Sequence, residues 1–121
     1  MNSQRTTNKP VAMPSSVEQM SGHAEDAASL MKALGNESRL MILCLLADGE
    51  RSVSDINEVV RLSQSALSQQ LARLRAKGLV KTRRESQAIF YSLAEGPADQ
   101  VIRLLHDIYC GAGLVAHKEN H

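Results

Sequence analysis

Gln64, Ser65, Ser68 and Gln69 lie within two helical turns of one another, in a stretch of 24 residues, 61–84, that holds seven of the chain's 14 lysines and arginines and none of its 13 acids. Amide and hydroxyl side chains hydrogen-bond base edges without the repulsion a carboxylate would meet beside phosphate. The cations, Arg61, Arg73, Arg75, Lys77, Lys81, Arg83 and Arg84, would neutralise phosphates with release of counterions. A solvated helix face is the plainer reading of a charge run, but such faces are normally filled by Glu and Lys rather than by Gln and Ser.

The chain has two cysteines, Cys44 and Cys110, 66 positions apart, which is neither a disulfide framework nor a paired metal-ligand motif. In a reducing compartment both rest as thiols. Cys44, inside LMILCLL, reads as a small buried hydrophobe. Cys110 follows Arg103, His106 and Asp107 by seven, four and three positions, which places it on the polar stripe of a helix. A thiol one turn from a histidine suits reactive sulfur chemistry, although a helix C-terminus opposes the thiolate. Cys110, His106 and Asp107 also name a nucleophile, a base and an acid. They share one helix end, however, with no Gly-rich loop and no oxyanion arrangement, so no enzyme is expected.

These residues need positioning elements, and 121 residues with a net charge of +1 suffice for one domain near the size at which a partner subunit helps to cover apolar surface. Phe90, Tyr91 and Tyr109 are the whole aromatic complement, too few for the base stacking of single-strand binders, so duplex DNA is the expected partner. The longest apolar run, residues 40–47, is too short to cross a bilayer, and the N-terminus has no signal pattern; no membrane partner and a cytoplasmic location are expected. Residues 1–15 read as a flexible tail, 16–112 as the folded domain and 113–121 as a second tail.

Within the domain, apolar steps of three and four predict a helix from Val17 to Leu34, stopped by Gly35. A second helix, 37 to about 48, is apolar nearly all round and ends at Gly49. Ser52 or Ser54 can cap a short third helix reaching residue 61. Ser63 opens the polar-faced helix SQSALSQQLARLRAK, and Gly78 closes it; Leu67, Leu71 and Leu74 share one face, while Ser65 and Gln69 point away from it. LVKTRRE and AIFYSL read as a hairpin turning at Ser86 and Gln87, with Arg83 and Arg84 near its tip. Pro97 opens a last helix through about 110. The expected fold is mainly α with a β-hairpin wing, in the order α-α-α-α-β-β-α: a winged helix-turn-helix. Ser63, Gln64, Ser65, Ser68 and Gln69 would then serve the major groove, and Arg73, Arg83 and Arg84 the backbone.

The segments LGNESRLMILCLL, LSQSALSQQLARLRAKGLVKTRRESQAIFYSL and VIRLLHDIYC together resemble the ArsR/SmtB-type winged-helix repressors. The resemblance implies a homodimer built on the first and last helices, bound to a two-fold symmetric operator and released when an inducer is sensed. Where a thiolate metal-sensing branch has Cys-x-Cys, this chain has Val53, Ser54, Asp55 and Ile56; where a zinc-sensing branch has its ligands, His106 and His117 are present but Leu104 and Asn120 replace the others. Two ligands of four do not close a tetrahedral zinc site, so neither a metal nor another cofactor is expected. One Cys in the second helix and one at the end of the last, as in Cys44 and Cys110, is similar to the BigR-like and HlyU-like branch that senses persulfides and related oxidants. That likeness implies reactive sulfur species as inducer. A zinc-responsive repressor, and a constitutive DNA-binding anti-silencer with structural cysteines, are the alternatives.

Overall fold

A computed structural model describes residues 14–111. Both expected tails, apart from residues 14 and 15, and the candidate ligand His117 lie outside the described residues. The chain divides into two units, one through Met31 and one from Lys32. In the first, helix α1 (Ser15–Ser21) is followed by α2 (Ala24–Leu34), whose last residues enter the second unit. The single helix expected from residue 17 to 34 is therefore two. Gly22 weakens the helix, and the Ser21 hydroxyl donates to the Glu18 carbonyl at 2.8 Å in competition with the backbone ladder. The ladder restarts where the Ala27 amide donates to the His23 carbonyl at 2.9 Å.

The second unit contains α3 (Glu37–Asp48), β1 (Arg51–Ser52), α4 (Val53–Val59), α5 (Gln64–Ala76), β2 (Val80–Glu85), β3 (Ala88–Leu93) and α6 (Pro97–Cys110). Three polar side chains set where its helices begin. Asn36 accepts from the Arg39 amide, Ser52 from the Asp55 amide and Ser63 from the Ala66 amide, each at 3.0–3.1 Å. α5 ends where Gly78 takes φ +75°: its amide donates to Arg75 and the next amide, of Leu79, reaches back to Leu74, satisfying two carbonyls that a helix end otherwise leaves open. α4 stops at Val59 rather than at residue 61, because Val60 is already extended.

β2 and β3 form the expected hairpin, with Glu85 opposite Ala88 and the turn at Ser86 and Gln87; Ser86 takes φ +58°, the positive value that matches a tight turn to strand twist. β1 adds a third strand to the two expected. It pairs Arg51 with Tyr91 and Ser52 with Phe90, giving an antiparallel sheet in the order β1-β3-β2. Ile42, Leu43 and Leu46 of α3, Ile56 of α4, Leu67, Leu71 and Leu74 of α5, and Ile102 of α6 make the core. α3 packs on α6 and on β3, yet it is not buried all round, since Met41 is 45% exposed and Cys44 half-buried.

Candidate nucleic-acid interface and thiol pair

α5 presents two chemically different faces. Leu67, Leu71 and Leu74 are almost wholly buried, and that anchorage turns Gln64, Ser65, Ser68 and Gln69 outward, where all four are exposed. Ser63 has a structural task as well, since its hydroxyl oxygen caps the helix and lies 3.4 Å from that of Ser65. The first turn of α5 carries no acid, so the positive end of the helix dipole is left for an external anion. Arg73 is exposed at the edge of this face.

The wing separates its two arginines by strand alternation. Arg84 pairs with Ile89 on the face that also carries Thr82 and Tyr91, and Tyr91 lines a groove of about 450 Å³ with Ser68, Ala72 and Arg75 of α5. Arg84 is exposed on the side of the sheet that faces α5. Arg83 points the other way. Its Nε and Nη2 donate to the Glu50 carboxylate at 2.9–3.1 Å, its Nη1 to Glu85 at 2.7 Å, and its guanidinium lies 4.8 Å from the centre of the Phe90 ring. The hydrogen bonds it donates to Glu50 first, and then to Glu85, hold this guanidinium above even its usual basic range. The free backbone cation expected at Arg83 is thus engaged by two carboxylates. Sequence reasoning missed Glu50, which is 33 residues away and carries no local sign of the pairing.

Cys44 and Cys110 are both free thiols, one half-buried on α3 and one exposed as the last residue of α6. Instead of being lost in the core, Cys44 reaches the wall of a cavity of about 580 Å³ between the two helices, with Met41, Leu45, Val59, Ile102 and His106. Burial, and secondly the charge of Cys110, push the Cys44 thiol above its ordinary pKa. The helices that carry the two thiols, α3 and α6, pack on each other. Arg103, the third polar residue of this stripe, donates its Nε to Asp99 at 2.7 Å. Among the described residues, no three His, Cys, Asp or Glu side chains gather as a metal site would require.

Known proteins share most of this arrangement. The family model described as bacterial regulatory protein, arsR family, matches residues 36–82, from the cap of α3 into the wing. The transcriptional activator HlyU of Vibrio cholerae is 48% identical over 99 residues, 82% of this chain and 92% of that protein. The chain belongs to the arsR family. Another relative, the biofilm growth-associated repressor of Xylella fastidiosa, is 42% identical over 93 residues, 77% of this chain and 82% of its own length. The structure of reduced HlyU from Vibrio cholerae superposes with a TM-score of 0.72 at 48% identity, covering 77% of this chain and 98% of that one. As an arsR-family member of the HlyU and BigR type, the protein is a DNA-binding transcription regulator with a winged helix-turn-helix, and α4 and α5 are its helix-turn-helix. No helix among the described residues is long and apolar enough to cross a membrane.

Proposed function

We propose that this regulator is a cytosolic repressor that binds a two-fold symmetric operator as a homodimer and releases it when reactive sulfur species join Cys44 to Cys110. The observation that carries the reading is the placement of the two thiols on packed helices, Cys110 exposed at the end of α6 and Cys44 facing a cavity between α3 and α6. Leu104, Ile108 and Tyr109 of α6, all exposed and apolar, support the dimer, because a two-fold axis beside α6 would bury them against their own copies. In the complex Ser63, Gln64, Ser65, Ser68 and Gln69 work at the major groove, and Arg73 and Arg84 at the backbone. Arg83 holds the wing.

The chemistry balances without a cofactor. The exposed Cys110 thiolate attacks the outer sulfur of an organic persulfide, R–S–SH, giving Cys110–S–SH and RS⁻. The Cys44 thiolate then attacks the Cys110 sulfur, the Cys44–Cys110 bond forms, and HS⁻ leaves with the electron pair. If both thiols are first persulfidated, their condensation expels H₂S and leaves a trisulfide, which spans a wider gap than a direct disulfide. Either bridge ties α3 to α6. Since α6 is the proposed dimer helix, the two α5 helices no longer match half-sites one DNA turn apart, and affinity falls.

Mass spectrometry after treatment with glutathione persulfide, read beside gel shifts of the same samples, tests the switch. A Cys44–Cys110 linkage that appears together with DNA release is the expected result. Release with both cysteines unlinked, or release retained in Cys44→Ser and Cys110→Ser, would sink it.

A further inference from the structure

Away from the wing, α5 borders a second cationic feature. A cavity of about 260 Å³ is lined by Lys32 at the end of α2, Arg39 in the first turn of α3, Arg73 of α5 and Lys77, the residue that caps the end of α5, with Ala33 and Leu74 as its apolar floor. No carboxylate lines it. Among the described residues none of these four cations forms an ion pair, in contrast to Arg51, Arg83 and Arg103. Arg39 is fixed in place by donation to the Ala33 carbonyl at 2.8 Å, the Lys32 carbonyl at 3.2 Å and Gln70 Oε1 at 3.3 Å, which uses three of the five guanidinium hydrogens and leaves two free. Four like charges around one recess repel each other, and a bound anion relieves that repulsion.

We infer that this recess is a backbone-phosphate site of the DNA complex, on the flank of the recognition helix opposite the wing. At about 100° per residue, Arg73 and Lys77 lie on one side of the outward face of α5, and Ser68 and Arg75 lie on the other, beside Tyr91 of the wing. A helix in the major groove runs between two phosphate rows about 12 Å apart. One row meets the wing flank and the other meets Lys32, Arg39, Arg73 and Lys77, so both strands are held and α5 is kept from rolling in the groove. This inference rests on the reading of α5 as the groove helix.

The test uses the full-length protein and a duplex that it selects from a random-sequence pool, with affinity measured against salt. Lys32→Gln and Lys77→Gln, both at exposed positions, should each flatten the slope of log K against log salt by about 0.9 for every phosphate left without its cation, with the selected sequence unchanged. Parent-like slopes in both variants would overturn the site. An NMR titration with inorganic phosphate separates the other source of the same chemistry: phosphate binding at Lys32 and Lys77 alongside parent-like slopes assigns the recess to a free anion and overturns the duplex site. A parent protein that prefers no duplex would remove the groove reading of α5 itself, and this site with it.

Discussion

Arg83 and Glu50 grip each other through three hydrogen bonds of 2.9–3.1 Å, joining the wing to the segment between α3 and β1. With Glu85 accepting a fourth bond and Phe90 beneath the guanidinium, the cation serves the shape of the wing before it serves any ligand. Arg83→Ala should therefore weaken DNA binding several-fold through a looser wing while leaving the salt slope near the parent value. Arg84→Ala, on the opposite face of the strand, should flatten the slope by about 0.9 for each phosphate it neutralises. Binding isotherms across a series of salt concentrations check the pair. Equal flattening in both variants would return Arg83 to the backbone.

Gln69→Ala should act on sequence preference rather than on salt. An amide that makes two hydrogen bonds to one base discriminates by about 1–3 kcal/mol, so its loss should relax one position of each half-site and leave the others intact. Selection from a random duplex pool, compared with the parent, gives the readout.

The buried and capping residues of α5 make a stability prediction that is separable from DNA binding. Leu71→Ala or Leu74→Ala empties the interior beneath the recognition face and should cost about 2–5 kcal/mol. Ser63→Ala removes only the cap and should cost about 1 kcal/mol. Urea unfolding of the free protein distinguishes the two sizes of effect.

Burial holds Cys44 above the ordinary thiol range and the charge of Cys110 adds to it, so its alkylation should accelerate at higher pH than that of a free thiol. Cys110→Ser should shift that profile only part of the way back, because burial is the larger cause. The folded state favours the neutral Cys44 thiol. Its contribution to stability is therefore complete below the unfolded thiol pKa and is lost as pH rises through the folded value, and Cys44→Ser should abolish that part of the alkaline decline. Iodoacetamide kinetics and thermal melts across the alkaline range measure both.

Much of this architecture is legible in local chemistry. Ser63 and Gly78 mark the two ends of α5, Ser86 and Gln87 mark the hairpin turn, and Pro97 marks the start of α6, because caps and turns act over three or four residues. The leucine stripe likewise tells which residues of α5 face outward. What escapes the sequence is long-range: Glu50 meets Arg83 across 33 residues, and Arg39 meets Gln70 across 31. Cys44 is misread for the same reason, since an apolar run does not reveal that one of its sides borders a cavity rather than the core. β1 is hidden by brevity. Two residues show no alternation, and their pairing exists only once β3 is in place. The break at Gly22 is local, but the regular apolar spacing on either side of it obscures the interruption.

Ser52 occupies two structures at once, as the rung opposite Phe90 in the sheet and as the cap whose oxygen receives the Asp55 amide at the head of α4. The sheet and the support helix therefore share a pivot. In the proposed complex, a displacement of the wing reaches the first turn of α4 through this shared residue, and a tilt of α4 reaches the wing the same way, so the two contacts expected with the duplex are mechanically joined rather than separate fingers.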